Sequence, residues 1–235
     1  MENHELQQPP VISQLDDQAR VAFYKRTYTH LAGAVLLFVL IETLFFQIPA
    51  IVDLAISLTG GISWLLLLGG FMLVTSYAEK LALSSDNIQM HYVGLIIYVI
   101  AEAFIFIPLI FIAVMVADGG AFNILYQAAI LTLSLFTGLS AIVFLTKKDF
   151  SFLRSALTIG FFIALGLIVA GTLFGFDLGL WFSVGMVVLA SGSILYQTSN
   201  MVHRYHENQH VAASLGLFAS LMLLFWYILS ILSND

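Results

Sequence analysis

Residues 181–232 read WFSVGMVVLASGSILYQTSNMVHRYHENQHVAASLGLFASLMLLFWYILSIL, two apolar runs on either side of a nine-residue loop, Val202 to His210. Each run is long enough to cross a bilayer, because about 20 helical residues at roughly 1.5 Å each cover a hydrocarbon core of about 30 Å. The first run ends in small and polar residues: Ser191, Gly192, Ser193, Gln197, Thr198, Ser199 and Asn200. A polar helix end in hydrocarbon is costly unless it faces other helices or water. This stretch is therefore expected inside the protein, with function sought around it.

Composition agrees with that reading. The chain has 235 residues, of which 60% are hydrophobic and 9% charged, with a mean hydropathy of +0.99. Soluble domains carry about 25% charged residues, so the chain is read as an all-α, polytopic membrane protein with the lipid bilayer as its first partner. Seven apolar runs follow one another at roughly 27–47, 56–77, 91–116, 123–146, 155–175, 179–201 and 211–232. Their continuous Leu/Ile-rich character argues against a β-barrel, whose strands alternate. Pro108 inside the third run predicts a kink, and Gly60, Gly61, Gly69, Gly70 and Gly138 are soft helix breakers. Gly166, Ala170, Gly171 and Gly175 in run five, with Ser191, Gly192 and Ser193 in run six, predict tight helix packing.

Charge supplies an orientation. All eight basic residues (Arg20, Lys25, Arg26, Lys80, Lys147, Lys148, Arg154 and Arg204) fall on one side of a seven-span topology. The other side carries Asp53, Asp118, Asp177 and Asp235 and no base. The positive-inside rule then puts the amino terminus in the cytoplasm and the carboxyl terminus outside. The expected organisation is a cytoplasmic tail over residues 1–26, a seven-helix domain over 27–232 and a short external terminus at 233–235. The polar opening MENHELQQPP lacks a basic region before an apolar core and reads as a tail, not a cleaved signal peptide. No cysteine is present, which excludes disulfides, thiolate metal sites and a cysteine nucleophile. A net charge of −6 spread over loops and tail predicts no nucleic-acid partner, and no cofactor motif is evident.

Candidate chemistry is sparse. Glu42 and Glu102 are the only acids well inside runs, and an ionised side chain at mid-bilayer costs about 2.5–3.5 kcal/mol on insertion scales. Glu102, near the middle of run three, is a candidate gating residue; Glu42, nearer the outer end of run one, is a weaker one that can be read as reaching the headgroups. Tyr196, Gln197, Ser220 and Glu102 are candidates for a narrow polar path. His203, His206 and His210, spaced three and four apart, share a face if helix continues through the loop. With Glu207 they are a candidate cytoplasmic pH-sensing loop; no HExxH pattern supports a metal site. Run seven has no lysine for a retinal Schiff base. Ser140 in GLSA lies away from every histidine, so a membrane serine protease is set aside as well. No enzyme activity is expected.

Two motifs carry a resemblance. SGSILYQTSNMVH at 191–203, followed by EN and AASLGLF, and LTKKDFSFL at 145–153 are similar to those of the Bax inhibitor-1 family, closest to its bacterial YccA-like branch. The resemblance implies six helices in two layers around a central seventh. It also implies a bacterial cytoplasmic (inner) membrane location. Bacterial members of this kind interact with the membrane AAA protease FtsH and its associated membrane proteins as substrate and brake, with the cytoplasmic tail as the handle for extraction. Other members are proposed to be pH-sensitive calcium leaks, and a calcium or proton leak is the alternative function here. A small-molecule transporter is a third reading, which needs a larger polar cavity than these runs offer. In the leak members paired acids in helices six and seven share a proton. The matching positions here are Gln197 and Ser220, neither of which ionises, so this chain departs from the di-acid pattern.

Overall fold

The structure of the chain, a computed structural model, describes residues 10–84, 87–116 and 121–233. Asp118, Asp235 and the first nine residues of the expected tail lie outside the described residues. Seven described helices are long and apolar enough to cross a membrane: α1 (Asp17–Phe46), α3 (Ile62–Ser84), α4 (Ile88–Val116), α5 (Ala121–Thr146), α6 (Leu153–Phe174), α7 (Gly179–His203) and α8 (His210–Ser233). A short extra helix, α2 (Pro49–Ser57), stands between α1 and α3.

The first helix reaches into the expected tail. It begins at Asp17, ahead of the apolar run, because Asp16 caps it: the Asp16 carboxylate accepts from the Ala19 N–H at 2.7 Å. Arg20 pairs with Asp17 on the first turn. The chain before the cap is not loose either. A 3₁₀ turn over Ile12–Gln14 places the Ile12 side chain in the core at 0% exposure, and the Ile12 N–H donates to the Tyr205 carbonyl at 2.9 Å.

Run two, expected from residue 56, is divided between two helices. Pro49 sits in the first turn of α2, where its fixed φ suits a helix start. Nine residues cannot span hydrocarbon, so α2 lies along α1 and α4 through Val52, Ala55 and Ile107. Gly61 at φ +55° turns the chain into α3. At Pro108, where a kink is expected, α4 remains one continuous helix. α3 and α4 approach closely at Gly94, where a Cβ would come 2.5 Å from the Ala78 carbonyl oxygen.

Packing singles out α8. Sixteen of its 24 residues are buried, and it packs against α1, α3, α4, α5 and α7. The central position expected of run seven is observed. α6 is different, since it touches mainly α7 and α3 and buries only Ala164 and Gly171. The tight packing predicted for run five is local: a Cβ on Gly171 would sit 3.1 Å from the Phe176 carbonyl oxygen and one on Gly160 would meet Leu189 of α7, whereas nothing lies within 4 Å of a Cβ built on Gly166, and Gly175 at φ +71° is the helix C-cap. In run six the expectation holds, with Gly192 against Leu157 and Ser193 bonded to Ser220. Large apolar side chains such as Leu66, Leu73, Leu145 and Phe162 point outward. In water they would be a liability; in lipid they are the expected exterior.

Candidate functional site

Two polar regions sit at opposite ends of the bundle. At the end formed by the α6–α7 connection and the start of α3, a cleft of about 730 Å³ opens between α3, α4, α6, α7 and α8. Thr59, Asp177 and Ser230 lie toward its mouth, and Phe71 and Glu102 come from the middle of their helices. The cavity is larger than the runs alone led one to expect. Below it an aromatic cluster fills the bundle: Tyr98 meets Phe71 at 6.5 Å and Phe218 at 6.2 Å, both edge-on.

Glu102 is 6% exposed, and its Oε2 has no hydrogen-bond partner. A buried acceptor left unpaired costs roughly 1–3 kcal/mol, more if it is charged. That makes Glu102 an unsatisfied group in the wall of an open cleft. Glu42 is equally buried, with both carboxylate oxygens unpartnered. It continues the inward stripe Thr27, Leu31, Ala34, Phe38 of α1, so the reading in which it reaches the headgroups is corrected by the helix register.

The expected polar path is not assembled. Ser220 Oγ lies 2.8 Å from Ser193 Oγ and donates to the Gly216 carbonyl at 3.0 Å. Gln197 packs on Gly216, where a Cβ would sit 3.0 Å from Oε1. Tyr196, Gln197 and Ser220 are all absent from the wall of the cleft that holds Glu102. Ser140 is buried 3.5 Å from the Thr198 hydroxyl, away from any histidine.

At the opposite end the three loop histidines separate, because helix does not continue through the loop. The Asn200 carbonyl accepts from both Arg204 and Tyr205, closing α7 at His203. His206 precedes a 3₁₀ turn over Glu207–Gln209 and forms an antiparallel bridge with Val11, its Nδ1 3.3 Å from the Pro10 carbonyl. Glu207 is exposed. His210 turns inward, its ring centroid 4.9 Å from that of His30, whose Nε2 is 2.9 Å from the Tyr92 hydroxyl. Among the described residues no group of three His, Asp or Glu could hold a metal ion. Burial pushes the Tyr205 phenol up to about 12, so it stays neutral where it receives the amino-terminal segment.

The two quoted motifs meet at this end. The Phe150 N–H donates to Ser199 Oγ at 2.8 Å, and Ser199 Oγ donates to Asp149 Oδ1 at 3.3 Å. The Ser151 backbone N–H also bonds Asp149, at 2.8 Å, and these bonds hold its carboxyl below the usual range. This junction and the Ile12 dock carry no role in the sequence reading. The Asp-x-Ser turn pattern at 149–151 is the one local signal for the junction.

Comparison with known proteins follows this geometry. A family model described as "Inhibitor of apoptosis-promoting Bax1" matches residues 20–235. An uncharacterised protein of Neisseria meningitidis is 28% identical over 200 residues, 80% of this chain and 85% of the relative. An uncharacterised protein of Pseudomonas aeruginosa is 38% identical over 115 residues, 48% of this chain and 50% of the relative. "Modulator of FtsH protease YccA" of Escherichia coli is 37% identical over 94 residues, 40% of this chain and 42% of the relative. The chain thus spans about half the length of the Pseudomonas relative and less of YccA.

Proposed function

The chain belongs to the Bax inhibitor-1 family, and from that premise we propose that it is a non-enzymatic modulator, and substrate, of an FtsH-type membrane quality-control protease. The observation that carries this reading is the likeness to YccA, whose name states that role. The amino-terminal segment is the proposed point of engagement. It lies at the end of the bundle that carries every basic residue of the chain, the end the positive-inside rule assigns to the cytoplasm. The bacterial inner membrane, with the carboxyl terminus outside, is the matching location.

The dock refines the proposal. Residues 10–15 are held on the α7–α8 loop by Ile12, Val11 and the Tyr205 carbonyl. While docked, residues 10–15 are withheld from any handle. Release lengthens the handle to the Asp16 cap. The protease's access is thus set by a contact between residues 10–15 and the α7–α8 loop, and that segment precedes the family match, which begins at residue 20.

The test is a crosslinked pull-down from native membranes, tagged at the carboxyl terminus. FtsH enrichment that disappears when residues 1–15 are removed is the expected result. Equal enrichment without them refutes the segment's role, and absence of FtsH with intact protein refutes the reading. A calcium or proton leak has less support. The positions matching the paired acids carry Gln197 and Ser220, and neither lines the cleft that holds Glu102.

A further inference from the structure

Glu102 is left unexplained by a protease modulator acting from the opposite end. It stands in the wall of an open cleft, 6% exposed, with Oε2 unpartnered. Oε2 itself is shut off from the cleft, so what Glu102 offers a ligand is its charge on ionisation, with no ion pair to it among the described residues. The nature of the rest of the wall decides which ligand.

Among the described residues the wall holds no lysine, arginine or histidine, and its second acid, Asp177, lies toward the mouth. An acid with no base beside it complements a cation, which favours the ionised form as it binds. Hard divalent ions need six or more oxygen ligands, and among the described residues no cluster of three acidic or histidine side chains forms. The wall is instead rich in aromatic rings. Trp226 of α8 stacks beside Trp64 of α3 at 6.4 Å and receives the ring of Phe106 edge-on at 4.9 Å. Phe71 and Tyr227 also line it. Aromatic faces attract cations, most strongly where water is excluded. A cavity of about 730 Å³ falls within the usual range for drug-sized ligands.

We propose that the cleft is a binding site for a bulky organic monocation, a quaternary ammonium or phosphonium type, with Glu102 as counter-ion and Trp64 and Trp226 as the aromatic wall, backed by the buried Phe106. The inner end is closed by the Phe71–Tyr98–Phe218 cluster, so the site is a dead end that binds from one side. The inference does not rest on the protease reading and survives its failure.

Tritiated tetraphenylphosphonium is the probe, measured by equilibrium binding to the full chain in nanodiscs of zwitterionic lipid. Neutral triphenylphosphine oxide and calcium serve as competitors. Saturable binding is expected, with neither competitor displacing it at equal concentration. Glu102→Gln should weaken it by about tenfold or more, the scale of removing one partner of a desolvated charge pair. Trp226→Leu should weaken it by about threefold to tenfold through loss of the aromatic face. Thermal unfolding of Glu102→Gln should occur at or above the native temperature, which separates lost binding from lost folding. Three results would each overturn the site: unchanged binding in Glu102→Gln, displacement by the neutral compound, which marks a plain apolar slot, or displacement by calcium, which marks a metal site.

Discussion

α8 and α6 are nearly the same length and equally apolar, yet one is the axis of the bundle and the other its rim. Sixteen of the 24 residues of α8 are buried, against two of the 22 in α6. Both carry small residues at helical spacing. On α8 these are used: Gly216 receives Gln197, and Ser220 pairs with Ser193. On α6 Gly160 and Gly171 meet only α7 and the loop before it, Gly166 faces open space, and Ile159, Phe162 and Phe174 face outward. Lipid is as apolar as a protein core, so hydropathy finds both spans without ranking them. Position is decided by which helix offers polar and small groups that other helices must satisfy.

The largest expected contrast between them comes from leucine truncation. Leu224→Ala, at 0% exposure on α8, should cost about 2–5 kcal/mol. Leu173→Ala, 58% exposed on α6, should stay within about 0.5 kcal/mol. Unfolding in mixed micelles measures both, and similar costs would break the comparison. Next in size is glycine filling. Gly216→Leu should cost about 1–3 kcal/mol by overpacking against Gln197, while Gly166→Leu should be close to neutral. A tight α6 contact missing from this fold would show as equal loss in the two variants.

The smallest effect concerns the tether that leads into α6. The Asp149 carboxyl is held low by the Ser151 N–H, with Ser199 also bonded. A depressed folded pKa means that its contribution is complete above the unfolded value, about 4, and is lost as pH falls through the lower folded value. Because Asp149 is exposed, the amount should be under about 1 kcal/mol. Proteolysis of the 147–152 loop should rise on acidification in the native chain and be pH-insensitive in Asp149→Asn. Parallel pH curves for the two would remove the tether.

The spans were legible because length and hydropathy suffice to define them. α2 escaped because PAIVDLAIS is too short to span, although Pro49 marks its start. The early start of α1 was written in Asp16-Asp17, a capping pair inside what read as tail. Glu102 could be singled out as a buried acid, but its cleft could not, since five separate helices build the wall. The histidine face failed at one point. His203, His206 and His210 share a face only in unbroken helix, and the chain breaks at Arg204–His206 to receive Val11 and Ile12. No local pattern reports a partner some 190 residues away.

The dock at Ile12 joins the start of the chain to the loop that leads into α8, and the proposed function runs through it. Pulse-chase turnover in cells containing FtsH tests that claim most directly, comparing the native chain, Ile12→Asp, and Ile12→Asp lacking residues 1–9. A shorter lifetime is expected for Ile12→Asp, with slow decay restored once residues 1–9 are gone and no difference among the three when FtsH is depleted. Equal lifetimes for the native chain and Ile12→Asp, or fast decay that persists without residues 1–9, would contradict it.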